Sequence, residues 1–207
     1  MEQSLKEANR KIESNIVRNV LNAPENLQNA HLFALGSIFD ERATEERLFL
    51  INSLTAYVGP IKRSRLLYRF DAFNRTNPHR YIDKQPNLVL IAKTIFGKYV
   101  AGFSKEAIDS AGNKVGFGLL LPLWNRRVFE IAANKKPVIY DDYFIIFGNS
   151  ELRLKAQETK LFSNFGISNA YFNSEGCKVD ALLGEGTERE INVEAYEVYA
   201  LDLYRSF

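Results

Sequence analysis

A single cysteine, Cys177, means that no disulfide forms within this chain and that no cysteine-rich cluster holds a metal. The two histidines, His31 and His79, lie far from the i, i+4 spacing that sets two imidazoles on one helix face. Zinc chemistry and Ser-His-Asp hydrolysis therefore start from a poor inventory. Glycine and proline are sparse, 12 and 6 in 207 residues, which excludes collagen-like and low-complexity classes. No apolar run approaches the ~20 residues that a membrane-spanning helix needs. The longest, Gly116 to Trp124, is interrupted by Pro122. The opening Met-Glu-Gln-Ser-Leu-Lys-Glu puts acids where a secretory signal wants a basic start, and Glu2, Glu7 and Glu13 argue against an Arg-rich transit peptide. The expectation is an intracellular, cytoplasmic protein, with an organelle such as the mitochondrion left open, in which the Asn74-Arg75-Thr76 sequon is chance.

What the chain does have is 46% hydrophobic and 13% aromatic residues, enough for a core without crosslinks. A chain of this size buries roughly two thirds or more of its unfolded surface. The net charge of +2 conceals a division into −2 for residues 1–60, +10 for 61–140 and −6 for 141–207. Either the basic middle steers an acidic partner, or it pairs with the acidic C-terminal part inside one fold. The basic residues come without zinc-finger spacing or an RNP-like aromatic pattern, so nucleic acid is not the expected partner.

Leu5, Ala8, Ile12, Ile16 and Val20 recur on one stripe of a helix over residues 4–22, with Lys6, Arg10, Lys11 and Glu13 facing away. That stripe packs on its own domain or on a partner, and Ala23-Pro24 ends it. A second helix is predicted from Thr44, with the Thr44 hydroxyl as cap, through Leu48, Ile51, Leu54 and Val58 to Gly59-Pro60. Beyond Pro60 the pattern turns to short strands: Arg65–Phe70, Leu88–Thr94, Tyr99–Phe103, Gly116–Leu121, Val128–Ile131, Tyr143–Phe147, Leu152–Leu154, Ala170–Phe172 and Val193–Leu201. Phe96-Gly97 supplies a hairpin turn, and the near-continuous apolar character of Val193–Leu201 suggests burial on both faces. The predicted fold is α+β, a two-sheet antiparallel β-sandwich flanked by helices with an N-terminal amphipathic extension. Residues 1–36 form the extension and 37–207 the domain.

Catalytic constellations are thin. Gly148-Asn149-Ser150-Glu151-Leu152 lacks the second glycine of a nucleophile elbow and reads as a turn. Cys177 suits a small buried residue better than a reactive thiol, although a thiol-dependent peroxide chemistry is the enzyme alternative. Gly112 to Gly118 leads into a strand and Pro122 rather than a helix N-terminus, so it does not cradle phosphate. Asp141-Asp142 with Glu151 or Glu158 is a divalent-cation candidate, set against a solvated turn. Arg126-Arg127 and Lys135-Lys136 read as solubilising charge at hairpin ends. No catalytic set, cofactor, metal or small-molecule substrate is expected.

Arg65-Leu66-Leu67-Tyr68-Arg69 resembles the opening strand of the TLDc domain, the module of oxidation-resistance proteins and nuclear receptor coactivator relatives. Further landmarks follow in the family's order. Pro86 to Ile91 and Phe96 to Phe103 resemble its hairpin, and Tyr143 to Leu154 is similar to its Phe-Gly-Gly-Gly-x-Asp-Leu segment. Asn164-Phe165-Gly166 before Tyr171 and the closing Val193 to Leu201 strand complete a series that covers about residues 37–203. The family's Asp-Gly-Phe and His-x-Lys-Cys-Asp elements are here Asp71-Ala72-Phe73 and His79-Arg80-Tyr81-Ile82-Asp83, and its triple glycine is Gly148-Asn149-Ser150. The resemblance implies a helix-flanked β-sandwich without established catalytic residues, a link to oxidative-stress protection and binding to the vacuolar-type proton ATPase. The expected role is a non-enzymatic module docking onto a large assembly through Leu5, Ile12, Ile16 and Val20 and through the basic strip Lys62, Arg63, Arg65, Arg75 and Arg80. The alternative is a constitutive accessory subunit of a ciliary, cytoskeletal or mitochondrial complex.

Overall fold

The computed structural model describes residues 33, 38–71, 73–108, 115–132, 134–163, 171 and 190–204. The stretch 4–22 with Leu5, Ile12, Ile16 and Val20 lies outside the described residues, as do Gly112 to Lys114, Asn164-Phe165-Gly166 and Cys177. What is described is a mostly antiparallel β fold with few helices. No helix among the described residues is long and apolar enough to cross a membrane.

Helix α1 spans Thr44–Val58, where the apolar spacing predicts it, and stops at Gly59. Its entry corrects the predicted cap. A 3-10 turn, Glu41–Ala43, comes first, and the Asp40 carboxylate accepts from the N–H groups of Arg42 (3.0 Å) and Ala43 (3.1 Å). Thr44 is the first α-helical residue rather than the cap, because the orphan N–H groups that need an acceptor begin one turn earlier. Glu45 and Glu46 remain in the first turn, where the helix dipole favours anions. Leu50, Ile51 and Leu54 are buried, each such side chain contributing roughly 1.5–3 kcal/mol on leaving water.

The strands are β1 (Ile61–Phe70), β2 (Leu88–Thr94), β3 (Tyr99–Ser104), β4 (Gly118–Pro122), β5 (Phe129–Glu130), β6 (Val138–Tyr140), β7 (Phe144–Phe147), β8 (Leu152–Lys155), β9 (Lys160–Phe162) and β10 (Glu190–Leu203). Their order is β5-β4-β3-β2-β10-β9-β8-β7-β6, every pair antiparallel, and β1 also pairs with β10. A one-turn helix α2, His79–Ile82, follows β1. Three of these elements, β6, β9 and α2, have no counterpart in the sequence reading, and β6 pairs with β7. Each spans one turn of helix or three strand residues, too short for its own periodicity, so partners decide it. β1 and β10 extend beyond their predicted bounds. Of the predicted strand Ala170–Phe172 only Tyr171 is described, bridging to Ile131.

β10 is the centre of the fold, as its apolar run suggests. It pairs with β2 along one edge, and with β9 and then β1 along the other. A bulge between Val193 and Ala195 reverses which face each side chain takes. Ile191, Val193, Tyr196 and Val198 join one apolar cluster, whereas Ala195, Tyr199 and Leu201 join the other. The first cluster brings Leu90, Val100 and Leu120 together with Phe147, Leu152 and Leu154. The second brings α1 together with Val89, Ile91, Ala101 and Leu121, plus Phe33 and Ile38. Strands β2 to β4 are thus buried on both faces, which is why they read as continuous apolar runs instead of alternating.

The β7–β8 turn, Gly148-Asn149-Ser150-Glu151, closes over a buried acid. Glu151 is fully buried and its Oε1 accepts from the Tyr171 N–H (3.2 Å), while the Tyr171 hydroxyl donates to the Pro137 carbonyl (3.0 Å). Gly148 and Ser150 both have positive φ, 64° and 73°. A side chain at positive φ costs about 1–2 kcal/mol, so the serine stores strain that glycine would release. Ser150→Gly is expected to raise the unfolding free energy by about 1 kcal/mol in denaturant titration. An unchanged or lower value would show that the Ser150 side chain contributes contacts that offset the strain.

Candidate protein-interaction surface

β1 has one strand neighbour among the described residues, β10, and so forms an edge of the sheet. Two features guard that edge. Its pairing is broken by bulges between Ile61 and Arg63 and between Leu66 and Tyr68, and its exposed positions are Lys62, Arg63, Arg65 and Leu66. Bulges and charges on an edge discourage pairing with another strand. Arg63 and Arg65, two residues apart in regular register, project from one face. The Arg65 guanidinium donates to Gln85 Oε1 (3.4 Å), and Gln85 N–H donates to the Ile82 carbonyl at the end of α2 (3.2 Å). Arg80, also exposed, stands on α2, so one side-chain contact links the strand to the helix that carries Arg80. Lys62 lies in the first bulge, and the exposed Arg75 stands in the loop between β1 and α2.

Part of the basic middle is neutralised internally. Arg63 pairs with Asp202 (2.9 Å), Arg69 with Glu197 (3.3 Å) and Lys93 with Glu194 (3.0 Å), each joining the basic middle to a C-terminal acid. The Arg63–Asp202 pair is exposed at both ends, a setting in which an ion pair contributes about 0–1 kcal/mol. Three cations of the basic middle are thus paired within the fold, while Lys62, Arg75 and Arg80 are exposed on the surface.

The sequence reading missed the buried acid behind this edge. Glu197 is 0% exposed on β10, and its Oε2 accepts from the Ile38 N–H (2.8 Å) and the Tyr199 hydroxyl (2.6 Å). Arg69 Nη1 stands near Oε1, and Arg69 Nε also donates to Asp71 Oδ2 (3.1 Å). Burial pushes the Glu197 carboxyl above its ordinary value, opposed by the bonds from Tyr199 and Ile38 and by Arg69. Phe33 lies edge-on to the Tyr199 ring at 4.9 Å and donates its N–H to Ser64 Oγ (2.8 Å), so Phe33 is tied to both β1 and β10. The available signal was an acid inside the apolar run Val193–Leu201, flanked by Tyr196 and Tyr199.

The loop after β1 is organised by its own polar side chains. Asp71 Oδ1 accepts from the N–H groups of Phe73 (2.8 Å) and Asn74 (3.1 Å), and the Phe73 bond foremost holds the Asp71 carboxyl below its ordinary value. Asn74 donates its amide to the Arg69 carbonyl (2.7 Å), so the nitrogen of the Asn74-Arg75-Thr76 sequon is engaged. Tyr68 donates to the Thr76 carbonyl (2.5 Å), and Asn77 Oδ1 accepts from the His79 N–H (3.0 Å). The loop ends on His79, whose Nδ1 lies 2.7 Å from Asp83 Oδ1.

The divalent-cation candidate does not assemble. Glu151 is buried in its turn, Glu158 pairs with Lys155, and Asp141 Oδ1 accepts from the Tyr143 N–H (2.9 Å) as an ordinary turn acid does. Among the described residues no group of three His, Cys, Asp or Glu side chains is placed to hold a metal. A scan of the chain against protein-family models finds no match, and a search of curated proteins finds none either.

Proposed function

We propose that this chain is a non-enzymatic interaction module of TLDc type that docks onto a large protein assembly, a vacuolar-type proton ATPase by resemblance, and shares that family's link to oxidative-stress protection. The observation that carries the reading is the guarded, cationic β1 edge, where Lys62, Arg63 and Arg65 stand exposed and Arg65 reaches towards the helix that carries Arg80. A surface charged in this way speeds encounter with an acidic partner. In this reading residues 37–207 form a two-sheet β-sandwich, with β2–β4 on one side and β7–β9 on the other. The shared cluster of Leu90, Val100, Phe147 and Leu154 supports that packing. Residues 1–36 are a helical extension whose stripe Leu5, Ile12, Ile16 and Val20 supplies a second contact.

A second reading, a constitutive accessory subunit of a ciliary, cytoskeletal or mitochondrial complex, is favoured by the β7–β8 turn. Where the family has a triple glycine, this turn carries Asn149 and Ser150 and closes on the buried Glu151. Affinity purification of the full chain from its own cells across a salt series separates the two readings. Proton-ATPase subunits released at moderate salt are the expected result, and charge reversal of Arg63, Arg65 and Arg80 to Glu is expected to cut their recovery about tenfold through a slower association rate. A fixed set of other proteins retained at high salt, indifferent to the reversal, points to the accessory subunit, whose interface is large and apolar. Loss of the captured set on deleting residues 1–23 tests the extension. Recovery of no partner at all would overturn both readings.

A further inference from the structure

Phe73 is 99% exposed, the most water-accessible of the large apolar side chains described. It sits on the loop between β1 and α2, so its ring adds no burial to this fold, yet the backbone beneath it is held by Asp71, Asn74, Asn77 and the Tyr68 hydroxyl. Asn77 Nδ2 lies 3.5 Å from the Asp142 carbonyl, which sets the loop beside Tyr143, itself 70% exposed. Arg75 and Arg80 are exposed in the same segment. A large apolar side chain presented to water on an ordered loop loses little conformational freedom on binding, and aromatic and arginine side chains dominate interface energetics.

We propose that this loop is a docking knob for a partner protein: the Phe73 ring enters an apolar pocket whose rim carries carboxylates that pair with Arg75 and Arg80. Charge complementarity selects that occupant. A protein rim accommodates cations and anions together, whereas an anionic lipid surface would repel Asp71, two residues before Phe73 in the chain, and Asp141 and Asp142, which precede Tyr143. The inference rests on the reading of the chain as an interaction module and specifies the chemistry of the surface it meets.

The test uses the full chain with a photoreactive benzoylphenylalanine in place of Phe73, irradiated in its own cells, with crosslinked peptides sequenced by mass spectrometry. The expected result is one dominant partner, crosslinked at an apolar pocket flanked by Asp or Glu. In parallel, Phe73→Ser is expected to weaken capture of that partner about 30-fold, the effect of losing an interface hot spot, and Phe73→Leu only a few-fold. The melting temperature of both variants should match the parent, because the side chain is outside the core. Capture unchanged by Phe73→Ser, with the purified set still recovered, would overturn the knob and leave the module reading standing. Crosslinks scattered over many proteins would overturn it as well. Phe73-dependent sedimentation with phosphatidylserine vesicles would replace the protein partner with a membrane surface. Recovery of no partner by the parent chain would remove both inferences together.

Discussion

Glu197→Ala is expected to lower the unfolding free energy by about 3 kcal/mol, because removing a buried acceptor strands two desolvated donors at about 1–3 kcal/mol each, while the half-exposed Arg69 keeps Asp71 as its partner. The Ile38 N–H and the Tyr199 hydroxyl lose their shared acceptor, and Arg69 loses its interior counter-ion. The Ile38 N–H and the hydroxyl then remain desolvated without a bond, which is the expensive outcome. Glu197→Gln keeps an oxygen for Ile38 and Tyr199 and should cost only about 1 kcal/mol. Denaturant titration of the two variants separates acceptor from charge. Equal losses would mean that the charge, and not the acceptor, matters. A loss below about 1 kcal/mol for the alanine variant would show that the network contributes little. The pH dependence follows from the direction of the carboxyl shift. Burial raises the folded-state value above the ordinary 4.5, so the native state binds this proton more tightly than the unfolded chain. The resulting stabilisation is fully present below 4.5 and is lost as pH rises through the raised value. In Glu197→Gln that slope should vanish, and its persistence would assign it to another group.

The second large effect lies where β3 meets β7. A Cβ on Gly102 would stand 2.8 Å from Cζ of the Phe147 ring and 2.9 Å from Cδ1 and Cδ2, closer than real side chains approach. Gly102→Val is expected to cost about 3 kcal/mol, since a packed interior absorbs added volume only by moving the ring or the backbone. Shrinking the opposite side chain should recover part of this. In Gly102→Val combined with Phe147→Leu, the two changes should be coupled by about 1 kcal/mol or more in a double-mutant cycle. Additive losses would show that the two strand groups do not meet there.

Much of this architecture could be read directly from residue order. The span of α1 is visible because its apolar residues recur at helical spacing and Gly59-Pro60 ends the run. β2 is visible from end to end because the apolar run Leu88-Val89-Leu90-Ile91-Ala92 stands between Pro86-Asn87 and the turn pair Phe96-Gly97. Its hairpin to β3 is visible because Phe96-Gly97 separates two strand-like runs, and Gly97 takes a φ of 74° in the turn. Less local features were not. β6 and β9 are three residues each and exist because β7, β8 and β10 offer them hydrogen bonds. The cap of the turn before α1 fell to Asp40 rather than Thr44, since a capping geometry depends on where the chain turns.

The same boundary runs through the candidate surface. The sequence by itself determined that Lys62, Arg63, Arg65, Arg75 and Arg80 are a cationic run, because charge is a property of composition and order. It also determined a β-rich domain without a disulfide, from strand spacing and one cysteine. Only the tertiary structure decided that β1 is an edge, that Asp202 and Glu197 neutralise part of its charge, and that Phe73 faces water while Glu197 does not. A phenylalanine and a glutamate carry opposite expectations of burial. Their places are exchanged here because the bulged register of β10 turns Glu197 towards the Ile38 N–H and the Tyr199 hydroxyl, and the bonds within the 71–78 loop hold Phe73 out from the core.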